Sequence, residues 1–148
     1  MVGVLVASCG GTSDSNGGDA DSGGGNDTDL PDPCVLVDDE ILEGYFTEAV
    51  EGEPGETGPL VNCRWEGSNA NSVLVQVRAG SEVNRPDSCD GCKDLAFGDD
   101  GYAWTSPFQS GAEFVVETTW YSVTTTGLGD DVDSIAILAE NVYENATG

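Results

Sequence analysis

From residue 10 to residue 33 the chain is almost entirely Gly, Ser, Asp, Asn and Thr. Such a run has too little apolar surface to offset the entropy of ordering it, so it reads as a flexible tether. Folding is thereby confined to residues 34–148, read as a single domain. That length can bury a real core, yet it is short enough for disulfides to matter.

What precedes the tether explains it. Leu5-Val6-Ala7-Ser8-Cys9-Gly10 is a short apolar stretch, two small residues and a cysteine, the pattern a bacterial lipoprotein signal peptidase cuts. Cys9 would then become the N-terminus and carry the lipid. Residues 1–9 read as a truncated signal segment: Met1 to Ala7 has no Lys or Arg, where a signal peptide has a basic n-region and roughly 7–15 apolar residues. The expectation is an upstream start or a trimmed chain. No stretch approaches the ~20 apolar residues of a membrane span. The expected location is the outer face of the cytoplasmic membrane, held by the lipid on Cys9.

The charge balance is extreme: 28 Asp and Glu against 4 Lys and Arg, with no His. Removing the six tether acids (Asp14, Asp19, Asp21, Asp27, Asp29, Asp32) leaves 22 acids against Arg64, Arg78, Arg85 and Lys93, a net of −18. Nucleic acid and anionic headgroups are repelled by such a surface, so nucleic acid is excluded as a partner. Cation capture or a basic partner is one use of the acidity; a solvated surface of the kind found in saline habitats is the plainer one.

Setting Cys9 aside leaves Cys34, Cys63, Cys89 and Cys92. In an exported domain four cysteines imply two bridges, with three possible pairings. We pair Cys34 with Cys63 and Cys89 with Cys92. The first closes a loop of about 30 residues; the second pins a local turn at Asp90-Gly91.

Asp38 predicts the cap of a helix running to about Val50, with Ile41, Leu42, Tyr45, Phe46 and Ala49 on one face. Gly52, Pro54, Gly55 and Gly58 then predict an acidic loop. Leu60 to Glu66 alternates, with Val61, Cys63 and Trp65 pointing one way. Ser72 to Ala79 follows with Val73, Val75 and Val77 inward, and the two strands predict an antiparallel hairpin around the turn 67–71. Residues 80–100 read as irregular. A third strand covers Tyr102 to Ser106. A long fourth runs from Glu113 to about Thr125, with Phe114, Val116, Thr118 and Trp120 on a face opposite Glu113 and Glu117, and a bend or split near Thr118-Thr119. Asp130 or Asp131 caps a closing helix whose stripe is Val132, Ile135, Ala136, Leu138, Ala139, Val142 and Tyr143. The fold class expected is α+β: an antiparallel sheet of about four to five strands, with an N-terminal and a C-terminal helix packed on it.

Asp32-Pro33-Cys34-Val35-Leu36 before an acid-capped helix, Cys63-Arg64-Trp65, and the stretch Leu95 to Ala103 with its Gly98-Asp99-Asp100-Gly101-Tyr102 turn resemble the small actinobacterial cell-envelope lipoproteins of unknown function. The Ala-rich closing helix is similar too. The resemblance spans most of residues 32–146. It implies a Cys34–Cys63 bridge and a helix-flanked antiparallel sheet, and it supplies no active site. The Cys89/Cys92 pair is extra to that family, and a helix expected between the second and third strands is missing.

Chemistry must come from the residues themselves. A redox-active C-x-x-C needs a lowered thiol pKa; Asp87 and Asp90 around Cys89 and Cys92 act in the opposite direction. A zinc site built from Cys34, Cys63, Cys89 and Cys92 would have one C-x-x-C where a zinc ribbon has two. Asp19-Ala20-Asp21-Ser22-Gly23-Gly24 starts like a calcium loop but has Leu30 where the bidentate Glu belongs. Weak metal candidates are Asp99, Asp100, Asp130, Asp131 and Asp133. Trp65, Tyr102, Trp104 and Trp120 are candidates to line a ligand groove, against the plainer reading that they are core. With no His as base, no nucleophilic constellation stands out. The reading is a monomeric, non-enzymatic lipoprotein without a cofactor, binding a small ligand or an envelope protein. The alternative is an extracytoplasmic divalent-cation-binding or thiol-redox accessory protein.

Overall fold

The computed structural model describes residues 29–148. The lipobox with Cys9, the calcium-like run and the tether up to residue 28 lie outside the described residues. Chain order is a 3₁₀ turn at Pro33–Val35, α1 (Asp39–Tyr45), β1 (Glu53–Thr57), β2 (Leu60–Glu66), β3 (Ser72–Ala79), β4 (Lys93–Asp94), β5 (Asp99–Thr105), β6 (Gln109–Val116), β7 (Thr119–Thr126) and α2 (Val132–Thr147).

The fold is α+β. Its antiparallel sheet has seven strands in the order β1-β2-β3-β7-β6-β5-β4, not four to five. The extra strands have physical causes. β1 is an exposed edge whose Glu53-Pro54-Gly55-Glu56 carries no apolar alternation; Pro and acids are what an edge strand tolerates, because half its ladder is unpaired. β4 is only two residues long, at the opposite edge. The long fourth strand is two strands, β6 and β7, folded back at Glu117-Thr118 with Val116 opposite Thr119. Glu117 takes a positive φ of 57° there. No Gly, Asn or Pro marks this turn, so the pattern of side chains hides it.

That turn corrects one face assignment. The alternation restarts after it, so Trp120 lies opposite Val115 and on Glu113's side of the sheet, not on Phe114's. The expected β2–β3 hairpin is present, with Cys63 opposite Val75 and Trp65 opposite Val73.

One face of the sheet carries the core. Cys63, Val73, Val75, Val77, Val123, Ala112, Phe114 and Ala103 are fully buried there, against Ile135, Leu138, Ala139 and Val142 of α2. α2 packs on β5, β6 and β7, while the 3₁₀ turn packs on β1, β2 and β3. Asp131 caps α2, accepting from the Ser134 N–H at 2.8 Å. Phe97, Phe114, Tyr121 and Tyr143 form an aromatic cluster on this side, with neighbouring ring centroids 5.0–6.0 Å apart.

α1 ends at Tyr45, well short of Val50. Phe46 turns extended (φ −119°, ψ 144°) and buries its ring beside Gly67, while Ala49 stays exposed. A single buried aromatic outweighs the weak propensity of a short helix. Asp38 precedes α1 but does not cap it through its side chain. Its carboxylate accepts instead from Asn141 at 2.8 Å and Asn145 at 3.0 Å, tying α1 to α2.

The Cys34–Cys63 bridge is present, Cα to Cα 5.0 Å, fastening the 3₁₀ turn to β2. Replacing both cysteines with Ser should lower the unfolding free energy by about 3–4 kcal/mol, read from urea melts, because the loop it closes becomes free in the unfolded chain. Glu117→Gly should raise stability by about 0.5–1 kcal/mol in the same assay. The left-handed backbone costs a non-glycine residue more than the added freedom of glycine costs on folding.

Candidate functional site

The second face of the sheet is covered by chain, not by helix. To pass from β3 to β4, residues 80–92 must cross from mid-sheet to the far edge. The Gly80 N–H donates to the Thr118 carbonyl at 2.8 Å, the Tyr102 hydroxyl donates to the Asn84 carbonyl at 3.3 Å, and Arg85 pairs with Asp94. Beneath this crossover Glu113 accepts from Trp120 Nε1 at 3.0 Å and from the Tyr102 hydroxyl at 3.3 Å. Arg78 stacks 4.5 Å over Trp120, and Arg85 lies 5.3 Å over Tyr102. The Tyr102 hydroxyl is pushed up to about 12, first by burial and then by the charge of Glu113.

The four aromatic groove candidates are divided by the sheet. Trp65 is buried in the helix-side core, where a Cβ on Gly52 would sit 2.9 Å from its indole. Tyr102, Trp104 and Trp120 lie on the other face. Tyr102 and Trp120 are sealed in the Glu113 cluster, and Trp104 covers Gly111. The four therefore do not line one groove.

The acids fare as differently. Asp131 is the α2 cap, held below the usual carboxylate range by the Ser134 N–H. Asp133 pairs with Lys93 at 2.6 Å. Asp99 and Asp100 lie exposed at the irregular start of β5, where Asp100 adopts a φ of 54°. Among the described residues no three Cys, Asp or Glu converge as a metal site. Cys89 and Cys92 pair across their turn, Cα to Cα 5.5 Å, with the Cys92 N–H donating to the Cys89 carbonyl at 3.3 Å.

Asp130 is different. It sits between Leu128 and the α2 cap, and its backbone carbonyl accepts from Thr105 and Ser110 hydroxyls at 3.0 and 2.8 Å, which fixes it in place. Its carboxyl faces the hydroxyls of Thr125 and Tyr45, which favour the ionised form, yet burial wins and raises its pKa. Tyr45 is raised as well, by burial and then by Asp130. The two residues floor a cleft of about 420 Å³ between α1 and α2, walled by Ile41, Leu128, Ile137 and Leu138 with Glu40 and Ser134 among them. A larger furrow of about 560 Å³ runs between residues 29–33 and β1–β2. Its acids, Asp29, Asp32 and Glu56, lie at the surface, so it offers no half-buried charge to orient a ligand.

The pairing of Tyr45 with Asp130 was missed from the sequence. Tyr45 reads only as part of a helix face and Asp130 only as one of two cap candidates, and nothing local signals that they meet. Compared with known proteins, the chain matches no family model, no curated protein and no solved structure.

Tyr102 gives a pH test. Its folded-state pKa of about 12 exceeds the ordinary value of about 10, so the fold favours the neutral phenol. Its contribution to stability is complete below pH ~10 and is lost as pH rises to ~12. Ultraviolet titration should show Tyr102 ionising late. Glu113→Gln should bring that step to lower pH, because the charge goes while the hydrogen bond can stay.

Proposed function

We propose that this protein is a lipid-anchored extracytoplasmic lipoprotein, a non-enzymatic binding module that takes a ligand into the cleft between α1 and α2 on the outer face of the membrane. The observation that carries the binding reading is the cleft: mostly apolar walls, with a half-buried acid and a phenol at the floor and the exposed Glu40 beside them, a composition that suits a small-ligand site. The anchor reading is supported by the Cys9 lipobox and the acidic Gly/Ser run after it. The resemblance to actinobacterial envelope lipoproteins, carried by the Pro33-Cys34 and Cys63-Arg64-Trp65 motifs, agrees with the anchor. Asp131 and Asp133 are engaged by the helix cap and Lys93, which favours this reading over divalent-cation capture.

The test is native mass spectrometry of the protein purified from its own membranes, beside Gly44→Phe. Gly44 borders the cleft, and a Cβ there meets nothing within 4 Å, so a ring can enter the space without disturbing the fold. The expected masses are an acylated Cys9 in both proteins and a retained small molecule in the wild type alone. An unmodified Cys9 would overturn the anchor. No retained mass, or the same mass in both proteins, would overturn the cleft as the binding site.

A further inference from the structure

The geometry of the α1–α2 cleft points to its ligand class: we propose that it binds a small organic cation, a primary amine on a compact apolar body. The inference rests on the binding-module reading and names the chemistry of the same site.

Three observations converge. The cleft holds about 420 Å³, within the range of small-molecule sites. Its walls are largely carbon, broken by Glu40 and Ser134, and Ile137 at the rim leaves 60 % of its surface exposed, apolar area that a ligand would cover. At the floor the Asp130 carboxyl is half-buried, faced by the neutral hydroxyls of Thr125 and Tyr45 and by no cation. A carboxylate in that position has hydroxyl donors but no counter-charge to offset the water it has lost. The protein's own cations are committed elsewhere: Arg64 to Glu66, Arg85 to Asp94, Lys93 to Asp133, and Arg78 to the face of Trp120.

Competing ligand classes fail on the same geometry. An anion would meet Asp130 beside Glu40 and Asp131 and be repelled. A neutral apolar molecule would fill the walls and leave the carboxyl without a counter-charge. A calcium ion wants six to eight oxygen ligands, roughly, and most of this lining is hydrocarbon. An ammonium group brings three donors and one positive charge to the floor, and its apolar body matches the walls.

The experiment is calorimetric titration of the full chain in about 0.15 M NaCl, which screens diffuse attraction to the acidic surface. The probes are cyclohexylmethylamine, cyclohexylmethanol and cyclohexanecarboxylate. The amine is expected to bind at least about tenfold more tightly than the alcohol, and the carboxylate not to bind. Asp130→Asn, close in shape, should bring the amine to the level of the alcohol. Ile137→Lys, at an exposed position, places a cation at the cleft and should weaken the amine by about tenfold or more even if Asp130→Asn fails to fold. Equal affinity for amine and alcohol would overturn the proposal. So would amine binding unchanged in the folded variants, since the attraction would then be to the acidic surface at large. Failure of the amine alongside a retained native ligand that Gly44→Phe expels would overturn the ligand class and leave the binding reading standing. Absence of any cleft-dependent ligand would remove the reading itself.

Discussion

The pairing of β3 with β7 holds the fold together. All eight residues of Ser72–Ala79 lie opposite Thr126–Thr119, and this ladder alone joins the β1-β2-β3 meander to the β4-β5-β6-β7 meander. Each meander closes through short turns, whereas this contact must close a long loop before it yields anything. Its side chains offset that cost: Val73, Val75, Val77, Tyr121, Val123 and Thr125 are all buried on the helix side. The strand order that follows places β4 at the far edge from β3. The chain between them therefore has to traverse the other face of the sheet, and the crossover becomes the cover over Tyr102, Glu113 and Trp120.

The two faces thus solve opposite problems. The helix side is an apolar core around valines and the Phe114 cluster. The crossover side has no helix to supply apolar surface, and it is built from polar groups that satisfy one another. Glu113 takes up the indole and phenol protons, and two arginines lie over the aromatic rings. In a domain with four cations this distribution matters. Arg64, Arg78 and Arg85 serve the crossover side, and Lys93 serves the α2 N-terminus. The cluster around Glu113 is therefore structural, and the carboxyl left without a counter-charge at the cleft floor is Asp130.

What could be read from the sequence followed from local periodicity. Alternation in Leu60–Glu66 and Ser72–Ala79 gave the central hairpin, and the stripe from Val132 to Tyr143 gave α2. Cysteine count gave two bridges with three possible pairings, and the Cys34–Cys63 pair chosen, which the resemblance also implied, is the one that forms. The rest depended on contacts distant in sequence. β1 carries Pro54 and Gly55, and it forms because β2 offers it a ladder. β4 is too short to have a period. A split near Thr118-Thr119 was legible, but the Glu117-Thr118 turn lacks turn residues because the β6–β7 register imposes it, and carrying one alternation across it placed Trp120 on the wrong face. Phe46 ends α1 for the sake of a pocket beside Gly67. The same limit applies to the site: Tyr45 and Asp130 are 85 positions apart, and only the docking of α1 against α2 brings them together.

An acid in this position is a thermodynamic link between fold and ligand. Burial raises the Asp130 pKa, so in the folded state its charge is disfavoured relative to the unfolded chain. Stability from this group is greatest below the unfolded carboxylate pKa and falls as pH rises through the raised value. At neutral pH the fold therefore carries an unfavourable term that a proton or a bound cation would relieve. By linkage, whatever binds the folded state and not the unfolded one stabilises it, and a cation seated on Asp130 relieves that term as it binds. The hydroxyls of Tyr45 and Thr125 offset part of the burial penalty, and they bring no charge to neutralise the carboxylate.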